Sequence, residues 1–167
     1  MSHQSSSSAA VTLAALRASP LAAELDDAQC TRLAAAMTAR TLADGETLVR
    51  EGSADDHLYA IVDGALAVVR GAGNGAGVTL YTLARGDLVG ELSFLDGAQR
   101  YASLVARGRT EVLSLARSAL EDLIDADGWL VYRVMRAIAR VVHDIQRRLS
   151  LQSTELSNYI YKQHGRY

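Results

Sequence analysis

The chain has 167 residues, of which 49% are hydrophobic and 22% are charged. This length is typical of one domain and is sufficient to bury a core. The formal net charge is −2 at pH 7, so no overall positive field attracts nucleic acid, and a bound anion requires a local site. The single cysteine permits no internal disulfide. No apolar run approaches the length of a membrane span, and the first residues lack the basic flank of a secretory signal, so we expect a cytoplasmic protein.

The elements predicted in the first part of the chain are helical. Residues 1–10 are Ser-rich and too polar to fold alone, so we expect a disordered tail. From residue 11 to residue 37 the apolar spacing predicts helix, and Asp26 is a plausible N-cap for the segment DAQCTRLAAAM. The lone cysteine, Cys30, falls in that segment, where a small buried hydrophobic residue is expected.

Short apolar runs replace the helical pattern between Thr41 and Ser114. Glycines or charges separate them every few residues, which is typical of an antiparallel sandwich or barrel. The runs are TLVREG, HLYAIVDG, ALAVVRG, VTLYTLARGD, YASLVARG and EVLSLA. Helix is predicted again after Arg117 and from Gly128 to about Leu149, followed by a polar tail, 150–167. This order predicts an α+β fold with one domain over 11–149.

Several short motifs are better explained without catalysis. GAGNGAG, residues 71–77, precedes a predicted strand and not a helix, so we expect a hairpin connection and not a phosphate loop. DADG, residues 125–128, lacks the other ligands of a calcium loop and is predicted to cap the last helix. The histidines and the cysteine have no metal-ligand spacing, and no nucleophile has a recognisable setting. We therefore expect neither catalytic nor metal-binding residues.

The stretch GELSFLDGAQRYAS, residues 90–103, has the residue types of an anion site. Gly90 permits a sharp turn, and ELSFL is long enough for one helical turn, whose free N–H groups attract an anion. Arg100 suits a phosphate, and Glu91 can accept a hydrogen bond from a sugar hydroxyl. The alternative is that Glu91 and Arg100 pair with each other across the loop.

This stretch resembles the phosphate-binding cassette of cyclic nucleotide-binding domains. The cassette usually reads Gly-Glu-Leu-Ala-Leu-Leu, four variable positions, then Arg, a small residue, Ala, and Thr or Ser. LADGETLVREGSADDHLYAIVDGALAVVR resembles the first half of the family's barrel, with Gly45, Gly52 and Gly64 at its turns. LARGDLVGE resembles the approach to the cassette, and the resemblance covers about residues 21–149.

The resemblance implies a β-barrel jelly roll with an N-terminal helical bundle, a short cassette helix and C-terminal lid helices. It implies that Arg100 neutralises the cyclic phosphate of cAMP and that Glu91 binds the ribose 2′-hydroxyl. The other ligand-binding positions that it implies are Gly90, Leu92, Tyr101, Ala102 and Ser103. The chain would then be a sensor without enzymatic activity.

Two residues depart from the family pattern. Gln99 stands where many members have proline. Tyr101 stands where the family normally has Ala, Ser or Thr, and a hydroxyl there bonds the phosphate or favours cGMP. Either the tyrosine ring points out of the pocket and binding survives, or the ring occludes the site. Because neither Thr nor Ser follows Arg100, we expect cAMP and not cGMP as the ligand.

The C-terminal region suggests how a signal would leave the domain. Fewer than twenty residues follow the long helix, too few for the helix-turn-helix module of related transcription factors, so we expect no direct DNA binding.

The long helix carries an apolar stripe spaced 3, 4, 3, 4, which predicts a homodimer through 131–149 or packing on the chain's own barrel. Its members are Val131, Val134, Ile138, Val141 and Ile145. The other faces of the helix carry Arg133, Arg136, Arg140 and His143. One of these residues caps the nucleotide base, or all of them are solvated surface charges. The tail after it is either a docking segment or more helix.

We interpret the chain as a cAMP sensor that signals through its C-terminal helix to a protein partner of unknown identity. One alternative is a domain that has lost its ligand and serves as a dimerisation or protein-interaction module. Another is a site for a different phosphorylated nucleotide, such as a cyclic dinucleotide.

Overall fold

The structure is a computed structural model that describes residues 12–71, 75 and 77–164. The tail predicted to be disordered, 1–10, and most of the GAGNGAG connection lie outside the described residues.

Three short helical segments form the N-terminal part. Helix α1 includes residues 12–17, a 3₁₀ turn covers Pro20–Ala22, and α2 is Asp27–Ala35. Asp26 caps α2 as the sequence predicts, because its Oδ1 accepts a hydrogen bond from the Gln29 amide at 2.9 Å. The continuous helical pattern expected from 11 to 37 is interrupted at Pro20, which has no N–H to donate and begins the separate 3₁₀ turn.

Six antiparallel strands form one sheet. They are β1 Thr38–Leu42, β2 Thr47–Val49, β3 His57–Arg70, β4 Val78–Ala84, β5 Leu88–Val89 and β6 Ser103–Ala116. Among these strands the hydrogen-bonded order is β1-β6-β3-β4, with β2 on β6 and β5 on β3. The predicted antiparallel fold with flanking helices is confirmed, but the sheet is open and not a closed barrel.

Two long strands replace four of the predicted short ones. HLYAIVDG and ALAVVRG form the single strand β3, and most of YASLVARG joins EVLSLA in β6. Gly64 does not end its strand, although its φ is +79°. It lies against β6, where an added Cβ would be 2.6 Å from the Arg109 carbonyl oxygen, so the glycine allows close contact between the strands. β1 had no predicted counterpart because only Leu42 of its five residues is buried.

Helices α3 (Glu91–Asp96), α4 (Arg117–Glu121) and α5 (Gly128–His164) follow in the second half. Asp127 caps α5, its Oδ1 accepting from the Leu130 amide at 2.9 Å, in agreement with the cap predicted for DADG. The helix continues through most of the C-terminal stretch that the sequence left as tail or helix. No helix in the described part of the chain is long and apolar enough to cross a membrane.

The apolar stripe of α5 packs within the chain. Val134 and Ile138 are completely buried, and Val131 and Val141 pack against the same core cluster. For these four residues, packing on the chain's own domain is therefore the interpretation that is observed. The fifth member of the stripe, Ile145, is half-buried.

The core consists of two clusters on the two sides of the sheet. One joins the helices to the sheet and contains Leu33, Phe94, Leu113 and Leu130. The other is enclosed by the sheet and contains, among others, Leu66, Val68, Ala102, Leu104 and Val112. The segment between β5 and β6 adds a residue to each cluster, so its position is fixed from both sides.

Candidate functional site

The predicted cassette lies between β5 and β6 and includes α3. Gly90 precedes α3 with a φ of +90°, a conformation that glycine adopts at little cost. A Cβ on Gly90 would lie 2.8 Å from Nη2 and 2.9 Å from Cζ of Arg100. The glycine is therefore required twice, by the turn and by the guanidinium group that lies against it.

Helix α3 agrees with the helical turn predicted for ELSFL. Phe94 anchors it in the core with 2% of its surface exposed. The Gly97 amide donates to the Ser93 carbonyl oxygen at 2.9 Å and ends the helix. The helix of the cassette is thus delimited by two glycines.

Arg100 is buried, with 5% of its surface exposed. Its Nη2 donates to Asp55 Oδ2 at 3.2 Å and also to the carbonyl oxygen of His57. Its Cζ lies 5.8 Å from the centre of the Tyr59 ring, within cation–π range. Its Nε has no hydrogen-bond partner among the described residues. The guanidinium is thus held in place with part of its hydrogen-bonding capacity unused.

The backbone of Arg100 is fixed by the turn that precedes β3. The Arg100 amide donates to the Ser53 carbonyl oxygen at 3.0 Å, and the Gly52 amide donates to the Arg100 carbonyl oxygen at 2.7 Å. Two backbone hydrogen bonds therefore join the turn before β3 to the cassette.

The Asp55 carboxylate accepts hydrogen bonds from several donors. Oδ1 accepts from the His57 amide at 3.1 Å and contacts the His57 ring at 2.9 Å, and Oδ2 accepts from the Tyr59 hydroxyl at 3.0 Å. Burial opposes ionisation, but Arg100 and these hydrogen bonds outweigh it and lower the pKa of Asp55. Burial and the Asp55 charge both raise the pKa of Tyr59, so this phenol stays protonated as a donor.

Glu91 and Arg100 do not pair with each other. Among the described residues, the salt bridge of Arg100 is with Asp55, and no salt bridge involves Glu91. Glu91 is half-buried at the start of α3. The alternative of a loop ion pair between these two residues is therefore not what the structure has.

Tyr101 points across the cassette toward β4. Its hydroxyl contacts the Tyr81 hydroxyl, and 51% of its surface is exposed. The Arg100 guanidinium, and not the Tyr101 ring, lies directly against Gly90. Burial, the contact with Tyr101 and the Glu91 charge raise the pKa of Tyr81.

The remaining cassette positions differ in their exposure. Leu92 is half exposed, whereas Ala102 is buried at 3%. Ser103 is also buried, and its Oγ accepts a hydrogen bond from the Glu51 amide at 2.9 Å. Of these three predicted ligand-binding positions, only Leu92 has an exposed side chain.

Neither Asp55 nor Tyr81 is among the functional residues predicted from the sequence. The signal for Asp55 was an acidic pair, Asp55 and Asp56, immediately before a buried strand, where an unpaired carboxylate is costly. The signal for Tyr81 was its alternation with Leu83 in VTLYTLA, which places both residues on one face of β4.

Asp55 and Asp56 lie directly before β3, and Asp55 holds Arg100. Asp55, Asp56 and His57 have ligand atoms within 4.8 Å of one another. Of these three side chains, Asp55 pairs with Arg100, and both Asp55 and Asp56 contact the His57 ring. A cleft of about 490 Å³ opens beside it, lined in part by Ser53, Asp55 and Tyr59 but by no residue of the cassette.

The arginines of α5 face the N-terminal segment. Arg133 donates to the Gln29 side chain at 2.6 Å, and Arg136 and Arg140 both pair with Glu24. These three candidates for capping a nucleotide base are therefore engaged in joining α5 to the N-terminal helices.

Comparison with known families gives a match to the part of the chain that contains the sheet and the predicted cassette. The family model described as cyclic nucleotide-binding domain matches residues 39–127, slightly more than half of the chain. The match includes β1 except Thr38, β2 to β6, and all of the predicted cassette.

Two curated relatives contain a similar segment. The cyclic AMP receptor protein of Thermus thermophilus is 31% identical over 116 residues, which are 70% of this chain and 54% of that protein. An NTE family protein of Mycobacterium tuberculosis is 30% identical over 128 residues, 77% of this chain and 21% of that protein. The chain thus spans between a fifth and about half of the length of these two relatives.

The fold is also that of a solved cyclic nucleotide-binding domain from Methylobacillus flagellatus. The TM-score is 0.72 at 24% sequence identity, and the match covers 84% of this chain and 79% of that one. By its sequence match, strand order and cassette, the chain belongs to the cyclic nucleotide-binding domain family.

Proposed function

We propose that this domain is a non-enzymatic sensor of cAMP. The observation that carries the proposal is the buried Arg100 guanidinium, which lies against Gly90 and has an Nε without a partner among the described residues. Asp55 neutralises it in the present structure. An incoming cyclic phosphate can take the place of Asp55, because a guanidinium suits phosphate through two parallel hydrogen bonds.

Glu91 supplies the second contact in this proposal. Its carboxylate is half-buried and forms no salt bridge among the described residues, so it is free to accept a hydrogen bond. In a cyclic nucleotide the 2′-hydroxyl is close to the cyclic phosphate. A site with one cation and one free carboxylate on the same cassette therefore suits that ligand.

The preference for cAMP rests on Tyr101. No short hydroxyl side chain follows Arg100, and the Tyr101 phenol is engaged with Tyr81. A guanine amino group would find no Ser or Thr hydroxyl at this position, so we expect cGMP to bind more weakly than cAMP.

We propose that the signal passes to α5 through the helical core cluster. Phe94 of the cassette helix packs in the same cluster as Leu130, Val134 and Ile138 of α5. Movement of the cassette toward a bound phosphate changes the packing of that cluster. The ligand can shift α5 only as far as its affinities for the two arrangements differ.

We propose a homodimer through 131–149, but on a face of α5 other than the stripe that the sequence suggested. Tyr132, Met135, Ala139 and Val142 repeat the 3, 4, 3 spacing one residue further along. Tyr132 and Met135 are 52% and 37% exposed. This face is directed away from the core and has the spacing of a short coiled-coil seam. A protein effector would then recognise α5 or the dimer.

The second candidate function is a ligand-free dimerisation or interaction module. The observation that favours it is the present pairing of Arg100 with Asp55, which satisfies the cation without a ligand. The two candidates differ in whether a nucleotide displaces Asp55.

Isothermal titration with cAMP and then cGMP tests the proposal. The protein is first unfolded and refolded to remove co-purifying nucleotide. We expect cAMP binding in the micromolar range or tighter, and a loss of about tenfold to a hundredfold in Arg100→Ala, because a charge-assisted contact is removed.

Two further variants make the titration specific. Arg100→Ala leaves Asp55 buried without its partner, so Arg100→Ala combined with Asp55→Ala restores the charge balance and must lose binding as well. Arg85→Ala removes an exposed arginine outside the cassette and must keep it. Absence of heat and of a thermal shift with both nucleotides in the wild type would overturn the sensor and favour the module.

A further inference from the structure

The cleft beside Asp55 lies between β1 and β2. Both strands are hydrogen-bonded to β6, but β1 pairs with residues 110–114 and β2 with residues 104–105. In the described part of the chain, the strand pairings include none between β1 and β2. The space between the two strands is therefore left as a cleft of about 490 Å³, a volume in the range of small-molecule sites.

The floor of the cleft is apolar. The sheet register pairs Thr38 with Ser114 and Ser114 with Tyr59, and directly paired residues project from the same face of a sheet. Tyr59 is 7% exposed and belongs to the enclosed core cluster, together with Leu48 and Val49, which also line the cleft. The body of a bound molecule would therefore meet a tyrosine ring and two aliphatic side chains.

The walls of the cleft carry hydrogen-bond donors that the chain itself does not use. Arg40 lines it from β1, and Arg50 lines it directly after β2. Among the described residues, the Arg50 guanidinium has neither a salt bridge nor a hydrogen bond. The hydroxyls of Thr38, Thr47 and Ser114 have no hydrogen-bond partner in the described part of the chain either. The cleft thus gathers one unpaired cation and three unpaired hydroxyls.

The other charges in the cleft are already compensated. Asp55 pairs with the buried Arg100, so its negative charge is balanced from the far side. Arg40 pairs with Glu46 at 2.9 Å, and with side chains 48% and 39% exposed this pair is solvated and readily exchanged. Because the remaining uncompensated charge is that of Arg50, the cleft favours an anion.

We propose that the cleft between β1 and β2 binds a small phosphate monoester with an aromatic or other apolar body. Arg40 and Arg50 hold the phosphate, because the guanidinium fork matches phosphate oxygens. A monoester carries about −1.5 to −2 charges at pH 7 and three acceptor oxygens, so the free hydroxyls find partners as well. The body lies on Val49 and Tyr59. This site is separate from the cassette, none of whose residues line the cleft, and it goes beyond the proposed function.

The test is a titration followed by ¹H–¹⁵N nuclear magnetic resonance, at constant ionic strength, with phenyl phosphate, inorganic phosphate and benzoate. Phenyl phosphate is expected to shift the amides of residues 38–42 and 47–50 with a Kd of about 1 mM. Inorganic phosphate has no apolar body to bury and is expected to bind at least about fivefold more weakly. Benzoate carries less charge and fewer acceptor oxygens, so at least about fivefold weaker binding is expected for it too.

Substitution of the two arginines tests the assignment of the phosphate. Arg50→Ala and Arg40→Ala are each expected to lower the affinity for phenyl phosphate at least about fivefold, because each removes a charge-assisted contact. Arg109→Ala is the matched control. Arg109 is likewise an exposed arginine that pairs with a glutamate, Glu111, but it lies outside the cleft. Its loss changes the net charge equally and must leave the affinity within about twofold.

Four results would overturn the inference. Shifts confined to residues 90–103 would place the probe in the cassette, and an equal loss in Arg109→Ala would show that only the overall charge matters. Benzoate binding as tightly as phenyl phosphate would contradict a phosphate site, and the absence of shifts with all three probes would contradict any anion site. None of these measurements uses cAMP. A failure of the proposed cAMP sensor is therefore distinguishable from a failure of this inference.

Discussion

Arg100 and Asp55 form a buried salt bridge, with 3.2 Å between Nη2 and Oδ2 and with 5% and 16% of their side chains exposed. The two residues are 45 positions apart and are joined through the turn before β3. The residue expected to bind phosphate is therefore already bound to an acid of its own chain. In the proposed function, ligand binding is therefore an exchange of one anion for another.

Asp55→Asn is expected to increase the affinity for cAMP by about tenfold, which corresponds to about 1.4 kcal/mol. The substitution removes the negative charge that competes with phosphate for Arg100. The same change leaves a buried guanidinium without its counter-charge and is expected to lower the free energy of unfolding by about 3 kcal/mol. Titration calorimetry and urea unfolding measure the two effects. Reduced affinity in a folded variant would mean that Asp55 positions Arg100 and does not compete with the ligand.

The stability of the ligand-free protein is expected to decrease toward acid pH because of Asp55. Its pKa is lowered in the folded state, below the ordinary value of 3.8. As the pH falls from about 5, the unfolded chain takes up this proton first, so unfolding is favoured, until the folded state is protonated as well. The contribution is complete above the unfolded pKa and lost below the folded one. Unfolding free energies of the wild type at pH 7, 5, 4 and 3 should fall more steeply than those of Asp55→Asn, and parallel curves would contradict this assignment.

Gly90→Ala is expected to abolish cAMP binding in a protein that still folds. The substitution combines backbone strain at a φ of +90° with a clash against the Arg100 guanidinium. Gly86→Ala is the matched control, because its φ is +91° and nothing lies within 4 Å of an added Cβ. Both variants should lose about 1–3 kcal/mol of stability from the strain, and only Gly90→Ala should lose ligand affinity. Equal affinities in the two variants would show that contact between Gly90 and Arg100 does not matter for the ligand.

Met135→Glu is expected to convert the proposed dimer to monomer. Met135 is 37% exposed on the outer face of α5, so a carboxylate there is solvated in the monomer and buried in a coiled-coil seam. Ile124→Glu, at a position 52% exposed before α5, is the control and should leave the mass unchanged. Light scattering or sedimentation over a range of concentrations reports the mass. A wild type that is monomeric at all concentrations would exclude this interface.

Several features followed directly from the sequence because the interactions that cause them are local. The caps at Asp26 and Asp127 each act on an amide three residues away. The cassette helix is delimited by Gly90 and Gly97, and the order of helix, strands and helix followed from the spacing of apolar residues. These rules operate within a few residues, so the residue types alone are sufficient to predict them.

The tertiary structure decided what those residues contact. The partner of Arg100, the direction of Tyr101 and the burial of Val134 each depend on segments that are far away in the chain. The spacing of the α5 stripe was compatible with dimerisation and with packing on the domain. The core between the helices and the sheet contains Val134 and Ile138, so these residues pack on the domain. The strand pairings likewise decided that β3 and β6 are continuous and that the sheet stays open. The sequence by itself determined a cassette with the residue types of a phosphate site. Only the fold brought Asp55 and Tyr81 to it, because long-range contacts depend on strand register and helix packing and not on local residue preference.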